Sequence, residues 1–335
     1  MSADSPLRCL GSVVRGRYLV TLPNPASDPK LADQVMIVTG ANAGLGFEAC
    51  LHLSRIGLGK LVMGVRTLAK GKDAKTRILA STHRPDTSIE VWHIDMDDYG
   101  SIEAFAKQAT ALPRLDGVLA NAGIMTPKFS LSEGSESTLN VNVISTFLLY
   151  SLLAPAMIES GRQTGHLCRF SIVNSALHLM APLAELKSVN ENVIERLNDP
   201  KRADMANRYA LTKLLVLFAV REIAARSSAK ERPGCIINTP NPSFCHSGLL
   251  DAMEPGLGMR VYKKLMARTT EEGSRTLVHG LLAGGETNGQ YLCNCAVEIP
   301  AKNVVNDWGR KFQQKFFKDL VAKLETIQPG STASI

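Results

Sequence analysis

The sequence predicts an α/β fold, a single doubly wound parallel sheet of about seven strands flanked by helices, and three observations predict it. Short β-branched runs alternate with helical patterns from Gln34 onward, the rhythm of crossover units that build a parallel sheet. The first run ends in Gly40 and a glycine turn that opens directly into a helix. Thr39, Arg66, Asp95 and Asn121 all stand where predicted strands end, the edge at which such sheets take ligands.

The elements follow in order. Residues 1–33 carry Pro6, Pro23, Pro25 and Pro29 without a sustained period and read as an extended N-terminal arm. No change of composition divides residues 34–335, which read as one domain. Gln34 to Thr39 is the first strand, and FEACLHLSRIG after the turn is a helix. Lys60 to Val65 is the second strand, Leu68 to Ala80 a polar helix, Ile89 to Ile94 a strand, Ser101 to Leu112 a helix and Gly117 to Ala120 a strand. Thr138 to Ile158 reads as a long buried helix carrying Asn140 and Asn142, and a buried asparagine must find partners. Arg169 to Ser175 is the next strand, with Ser175 at its carboxyl end. Residues 177–206 read as an insertion over the site, Asn207 to Val220 as a helix and Cys235 to Thr239 as a strand.

The segment 240–268 is long and rich in Pro, Gly and Met, which suits a substrate lid. With the insertion it supplies Leu179, Met180, Leu183, Phe244, Leu249, Leu250, Met253, Leu257 and Met259 for an apolar wall over a ligand. Packing against the body or a second subunit is the alternative. Thr269 and Glu272 form a capping box for a helix to Leu282. A strand at Gln290 to Cys293 and a helix at 307–326, striped by Phe312, Phe316, Leu320 and Leu324, close the chain.

Composition narrows the function. With 335 residues, 45% hydrophobic, the chain can bury a large core. The net charge of +7 comes without any run of five Lys or Arg, so it reads as a solvated surface suited to an anionic cofactor, with no nucleic-acid partner. Seven widely spaced cysteines, an odd number, fit reduced thiols and a cytoplasmic location. Only Cys293 and Cys295 are close-set; lacking a second pair, they read as strand residues, and no metal site is expected. Val143 to Ile158 is too short for a membrane span and contains Pro155.

A glycine turn between strand and helix presents unpaired N–H groups and a positive dipole end to a pyrophosphate. Gly40 permits the tight turn, while Gly44 and Gly46 leave no side chains where backbone approaches ligand or packs on the sheet. About twenty residues on, a site for NAD would carry a carboxylate for the ribose 2′-hydroxyl. Arg66 stands there instead, with Lys70 nearby, which favours NADP(H).

Tyr209 and Lys213 are four apart and share one helix face. An ammonium beside a phenol favours the tyrosinate and draws its pKa towards the range of proton exchange at neutral pH.

Together these residues resemble the short-chain dehydrogenase/reductase family, from about Gln34 to Cys293. Thr39-Gly40-Ala41-Asn42-Ala43-Gly44-Leu45-Gly46 is similar to its cofactor turn and Asn121-Ala122-Gly123 to its sheet-stabilising turn. Asn142, Ser175, Tyr209 and Lys213 match its catalytic tetrad. The chain looks like the fungal retinol-dehydrogenase-like branch, many of whose members serve secondary-metabolite pathways. The resemblance implies a Rossmann-type domain, NADP(H), and a small-molecule carbonyl or alcohol substrate. It also implies that Asp95, Pro242 and Ser247 border the cofactor, that Lys213 holds the nicotinamide ribose, and that Asn142 positions a water on a proton path through Lys213. Pro242-Ser243 stands where the family has Pro-Gly, Ser247 where it usually has threonine, and Ser175 and Tyr209 lie 34 positions apart. The expected activity is an NADP-dependent carbonyl reductase or alcohol dehydrogenase acting on a bulky, largely apolar, polyketide-like molecule. A non-redox epimerase or dehydratase, or a silent NADP-sensing protein, are the alternatives, and self-association is left open.

Overall fold

The computed structural model describes residues 6–186, 191–227, 235–253 and 256–335. Its eight-stranded sheet runs β10-β9-β8-β7-β4-β1-β2-β3. The strands are β1 (Val35–Thr39), β2 (Lys60–Val65), β3 (Ile89–His93), β4 (Gly117–Ala120), β7 (Cys168–Ile172), β8 (Cys235–Asn241), β9 (Tyr291–Cys293) and β10 (Ala296–Glu298). All pairings are parallel except β9 with β10. A separate small hairpin pairs β5 (Leu131–Ser132) with β6 (Ser135–Glu136).

Helices cover both faces, as parallel strands buried on two sides require. They are α1 (Pro6–Val14), α2 (Gly44–Arg55), α3 (Leu68–Thr82), α4 (Tyr99–Thr110), α5 (Ser137–Leu139), α6 (Ser145–Thr164), α7 (Val193–Leu197), α8 (Arg208–Ser227), α9 (Leu257–Met266), α10 (Thr270–Leu282), α11 (Lys302–Val305) and α12 (Asp307–Ile327). One core lies under α2, α3 and α10, around Met36, Val38, Ile78 and Leu277. The other lies under α4, α6 and α8, around Phe105, Phe147 and Phe170, and extends outward to α12 through Phe218, Phe312 and Phe316.

Four features depart from the sequence reading. The N-terminal arm is helical over residues 6–19 and carries no helix only from 20 to 28: Pro6 opens α1, where its missing N–H costs nothing, and Cys9 and Val13 bury one side of that helix. The remaining prolines follow the helix instead of breaking it. The sheet gains an eighth strand because Asn294 and Cys295, at φ 54° and 58°, form a two-residue hairpin loop; Cys295 is therefore a turn residue, not a strand residue. The described residues of the segment 177–206 form a packed layer rather than a cover. Val193, Ile194 and Leu197 are buried, Val193 N donates to Asp319 Oδ2 of α12 at 2.9 Å, and Leu179 and Leu183 join the core. Finally, the long helix is interrupted by a π-helical turn, Asn140–Ile144. From Ser137 to Thr164 this 28-residue stretch is long and apolar enough to cross a membrane, yet 78% of its most apolar window is buried within the fold. It is a core helix.

Candidate active site

Six neighbouring parallel strands, β8-β7-β4-β1-β2-β3, end along one edge, and the strand-end residues Thr39, Arg66, Asp95 and Asn121 stand at it. Thr39 closes β1 fully buried, and its Oγ1 accepts from the N–H groups of Asn121 and Ala122, each at 3.1 Å. Asn121 Nδ2 returns two bonds, to Thr39 O at 3.0 Å and Gly40 O at 3.2 Å. These bonds lock the ends of β1 and β4 together.

The glycines divide their labour. At Gly46 an added Cβ would meet Gly40 O and Asn121 Nδ2, so that position serves packing. At Gly44, φ is +55° and the space around a Cβ is open. Ala43, the N-cap of α2, offers no side-chain bond, and the first turn contains no acidic residue. Its N–H groups therefore lack a side-chain acceptor at a positive dipole end, an arrangement that fits a pyrophosphate. Asn42 and Leu45 stand half-buried on the same turn.

Gly40 N donates to Gly64 O at 2.9 Å, which sets the end of β2 beside the turn. Arg66 follows two residues on, exposed, with Lys70 exposed in the first turn of α3. Among the described residues neither forms an ion pair. Asp95 lies one strand further out and uses Oδ1 to accept from Asp97 N at 3.0 Å.

The reactive group assembles from α8 and the end of β7. Tyr209 and Lys213 are buried, with the ammonium 5.5 Å from the phenol ring centroid. Lys213 Nζ donates to Val173 O at 2.7 Å. Ser175 lies beside the Tyr209 phenol and caps the 3₁₀ turn Ala176–Met180 by accepting from Leu177 N at 3.2 Å. Burial pushes the Tyr209 phenol above its ordinary value, with only the nearby Ser175 hydroxyl opposing. That departs from the sequence expectation, in which Lys213 lowers it; here the dry setting prevails. Burial also lowers Lys213 to about 8.

Asn142 rides the π turn, a device common at functional sites. Its amide clasps Ile124 in both directions at 2.9 Å, and Nδ2 also meets Thr212 Oγ1 at 3.2 Å. Asn142 thus ties β4's exit loop to α8, and its bonds go to these groups rather than to Lys213.

Three supporting residues escaped the sequence reading. Asn174 accepts from Ser175 N at 2.7 Å and donates to Lys213 O at 3.2 Å, joining the two reactive elements. His178 Nε2 accepts from Ala301 N at 3.1 Å, so its proton sits on Nδ1 and donates to Ser175 O at 2.7 Å. Arg208, wholly buried beside Tyr209, lies between Glu136 at 3.5 Å and Glu185 at 3.2 Å. Adjacency to Ser175 and Tyr209 was the only signal for any of them.

Past β8, Pro242 is buried and Ser243 takes φ 67°, the conformation a glycine would favour. Ser247 is half-buried, and its carbonyl accepts from Lys263 Nζ of α9 at 2.9 Å. The Phe244 and Tyr262 rings meet at a tilt with centroids 5.4 Å apart, fastening α9 to this segment. Leu249, Leu250 and Met253 are half-buried, whereas Leu257 is 79% exposed. A cavity of about 660 Å³ lies at the opposite edge of the sheet, among Lys30, Gln34, His166 and Arg169, away from all these groups.

Residues 34–178 match the family described as short chain dehydrogenase. The chain is 38% identical over 317 residues to the short chain dehydrogenase/reductase dmxR8 of Cryptosporiopsis sp. (strain 8999), covering 94% of this chain and 97% of that one. It is 41% identical over 278 residues to the short chain dehydrogenase atnD of Emericella nidulans, covering 81% and 86%. Among solved structures it is similar to a short-chain dehydrogenase from Sphingobium yanoikuyae in complex with NADPH, with TM-score 0.57 and 17% identity over 78% of this chain and 87% of that one.

Proposed function

The chain belongs to the short-chain dehydrogenase/reductase family of oxidoreductases, and from that premise we propose that it is an NADPH-dependent reductase that interconverts a ketone or aldehyde with an alcohol. The observation that carries this reading is the buried Tyr209 and Lys213 pair, with Ser175 beside the phenol, at the edge that also holds an uncapped glycine turn.

The N–H groups opening α2 would hold the cofactor's pyrophosphate, and Arg66 and Lys70 its 2′-phosphate, to which Arg offers a bidentate fork. NADPH, when bound, supplies the hydride. Tyr209 donates its phenolic proton to the carbonyl oxygen of the substrate, and the raised phenol pKa keeps that proton in place at neutral pH. Ser175 hydrogen-bonds the same oxygen as negative charge grows on it. The Lys213 ammonium then steadies the tyrosinate, and Asn174 and His178 hold Ser175 and Lys213 in register.

The substrate we infer is bulky and largely apolar, a polyketide-like intermediate of secondary metabolism, because Phe244, Leu249, Leu250 and Met253 offer an adaptable apolar border beyond Pro242. All seven cysteines are free thiols, six of them buried, which supports a reducing, cytoplasmic setting. The test is consumption of NADPH against a panel of carbonyl compounds by the parent and by Tyr209→Phe. The parent should reduce apolar cyclic ketones, and the variant should bind NADPH normally yet lose about a hundredfold or more in turnover. Near-parent turnover in the variant would refute the role of Tyr209.

A further inference from the structure

Fifteen large hydrophobic side chains are exposed among the described residues, and eleven of them fall in three segments: five on residues 6–19, four on α9, and two on β10 and the residue after it. The segments touch. Tyr18 Oη donates to Leu265 O at 2.9 Å, Arg8 Nη1 donates to Pro300 O at 3.2 Å, and Arg15 pairs with Glu298 at 2.8 Å. The three segments therefore lie side by side and bring their exposed apolar residues onto neighbouring surface. On α1, Cys9 and Val13 point inward, while Leu10 and Val14 stand one turn apart on the solvent side. On α9 no residue is buried, and Val261 and Leu265, one turn apart, are 50% and 57% exposed.

Charge gathers on the same face. Residues 6–22 and 256–268 contain seven Lys and Arg and no Asp or Glu. Of these, Arg268 is buried against Glu272 and Arg15 pairs with Glu298 of β10, so the positive charge that the face presents is smaller than that count. Arg17 and Lys264 are exposed beside the apolar stripes. The cations look scattered along the sequence because the fold, not the chain order, brings the segments together.

Apolar stripes ringed by cations, on helices that lie flat on a surface, are the physical signature of an interfacial helix. A second copy is a poor occupant, since a two-fold contact through this face would set its cations against themselves. A nucleic acid would leave the apolar stripes unburied. We propose that this face docks the protein on an anionic phospholipid bilayer, with α1 and α9 lying in the plane of the interface and no segment spanning it. The inference is independent of the reaction assigned above, because docking is read without substrate.

The test is co-sedimentation of the full chain with vesicles of phosphatidylcholine alone or of phosphatidylcholine mixed with phosphatidylserine. The parent should partition onto the mixed vesicles and be largely released at high salt. Arg17→Glu/Lys264→Glu should lower that partition by about 25-fold or more. Val261→Ser/Leu265→Ser should lower it by about tenfold or more. Both variants alter only exposed side chains, so thermal unfolding and NADPH affinity should match the parent and separate lost docking from lost folding. No partition onto mixed vesicles, equal partition onto neutral ones, or insensitivity to both variants would overturn the proposal. A stable dimer that Val261→Ser/Leu265→Ser dissociates would also overturn it, because a second copy would then cover the face.

Discussion

Replacing Arg208 with methionine tests the buried frame on which Tyr209 stands. The side chain is fully buried, its Nε 3.5 Å from Glu136 and its Nη1 3.2 Å from Glu185. Neither pair has hydrogen-bond geometry, so the attraction is mainly Coulombic. Both carboxylates have other work: Glu136 accepts from Thr138 N and Leu139 N at 2.8 and 3.0 Å, and Glu185 accepts from Asp204 N at 2.9 Å. Methionine keeps much of the stem volume but strands two buried negative charges. Losing one partner of a buried ion pair costs about 3–5 kcal/mol, and the surviving backbone bonds place Arg208→Met towards the lower end, about 3–4 kcal/mol. With roughly 2 cal/mol/K of unfolding entropy per residue, that corresponds to a fall in Tm of about 4–6 °C for a chain of 335 residues. Adding Glu185→Gln removes one stranded charge and should recover about 1–2 kcal/mol. Urea unfolding followed by circular dichroism reads both quantities. A loss under about 1 kcal/mol, or a double variant no more stable than the single one, would refute the reasoning.

Four further outcomes are expected. Arg66→Ala should weaken NADPH binding by about ten- to a hundredfold and leave NADH nearly unchanged, since only the 2′-phosphate loses a partner; equal losses for both in titration calorimetry would count against it. Lys213, lowered to about 8 by burial, loses its charge as pH rises through that value, so kcat/KM for reduction should decline above about pH 8, and a flat profile to pH 10 would contradict this. The same depression means that the folded state binds fewer protons than the unfolded one between about 8 and 10.5. Stability should therefore rise with pH across that window, and Lys213→Met should raise the urea midpoint at pH 7 while abolishing reduction. Ser243→Gly should relieve a left-handed backbone at φ 67° and gain about 0.5–1 kcal/mol after the added chain entropy, visible as a higher Tm; a lower Tm would show that the Ser243 side chain matters more than the strain.

The parts of the molecule legible in the sequence were those that local periodicity encodes. Four-residue spacing placed Tyr209 and Lys213 on one face, and strand, glycine turn and helix placed Gly40, Gly44 and Gly46. What stayed hidden depends on tertiary context. Prolines suggested an extended arm, yet Pro6 is at the one helical position that welcomes it, and nothing local announced the core that receives Cys9 and Val13. The hairpin at Asn294-Cys295 lacks the Asn-Gly signature, so its strand β10 went unread. Leu179 and Leu183 have the composition of a ligand wall but fold into the core, because Arg208, Glu185 and Asp319 anchor their segment from elements distant in sequence. The balance at Tyr209 was unreadable for the same reason. Spacing puts a lysine beside the phenol, but only packing decides that burial outweighs its charge.

The attachment of the N-terminal segment also bears on how the protein is made. Arg8 meets Pro300 across 292 positions, and Arg268 meets Gly16 across 252. On a ribosome adding about 5–20 residues per second, the first helix would wait roughly 15–60 s for its partners to emerge. Its apolar sides remain uncovered throughout, and closure of such distant contacts is slow even once the chain is complete. Residues 6–19 thus leave the ribosome well before the residues they settle on, and unfinished chains carry apolar helix sides that the finished fold covers.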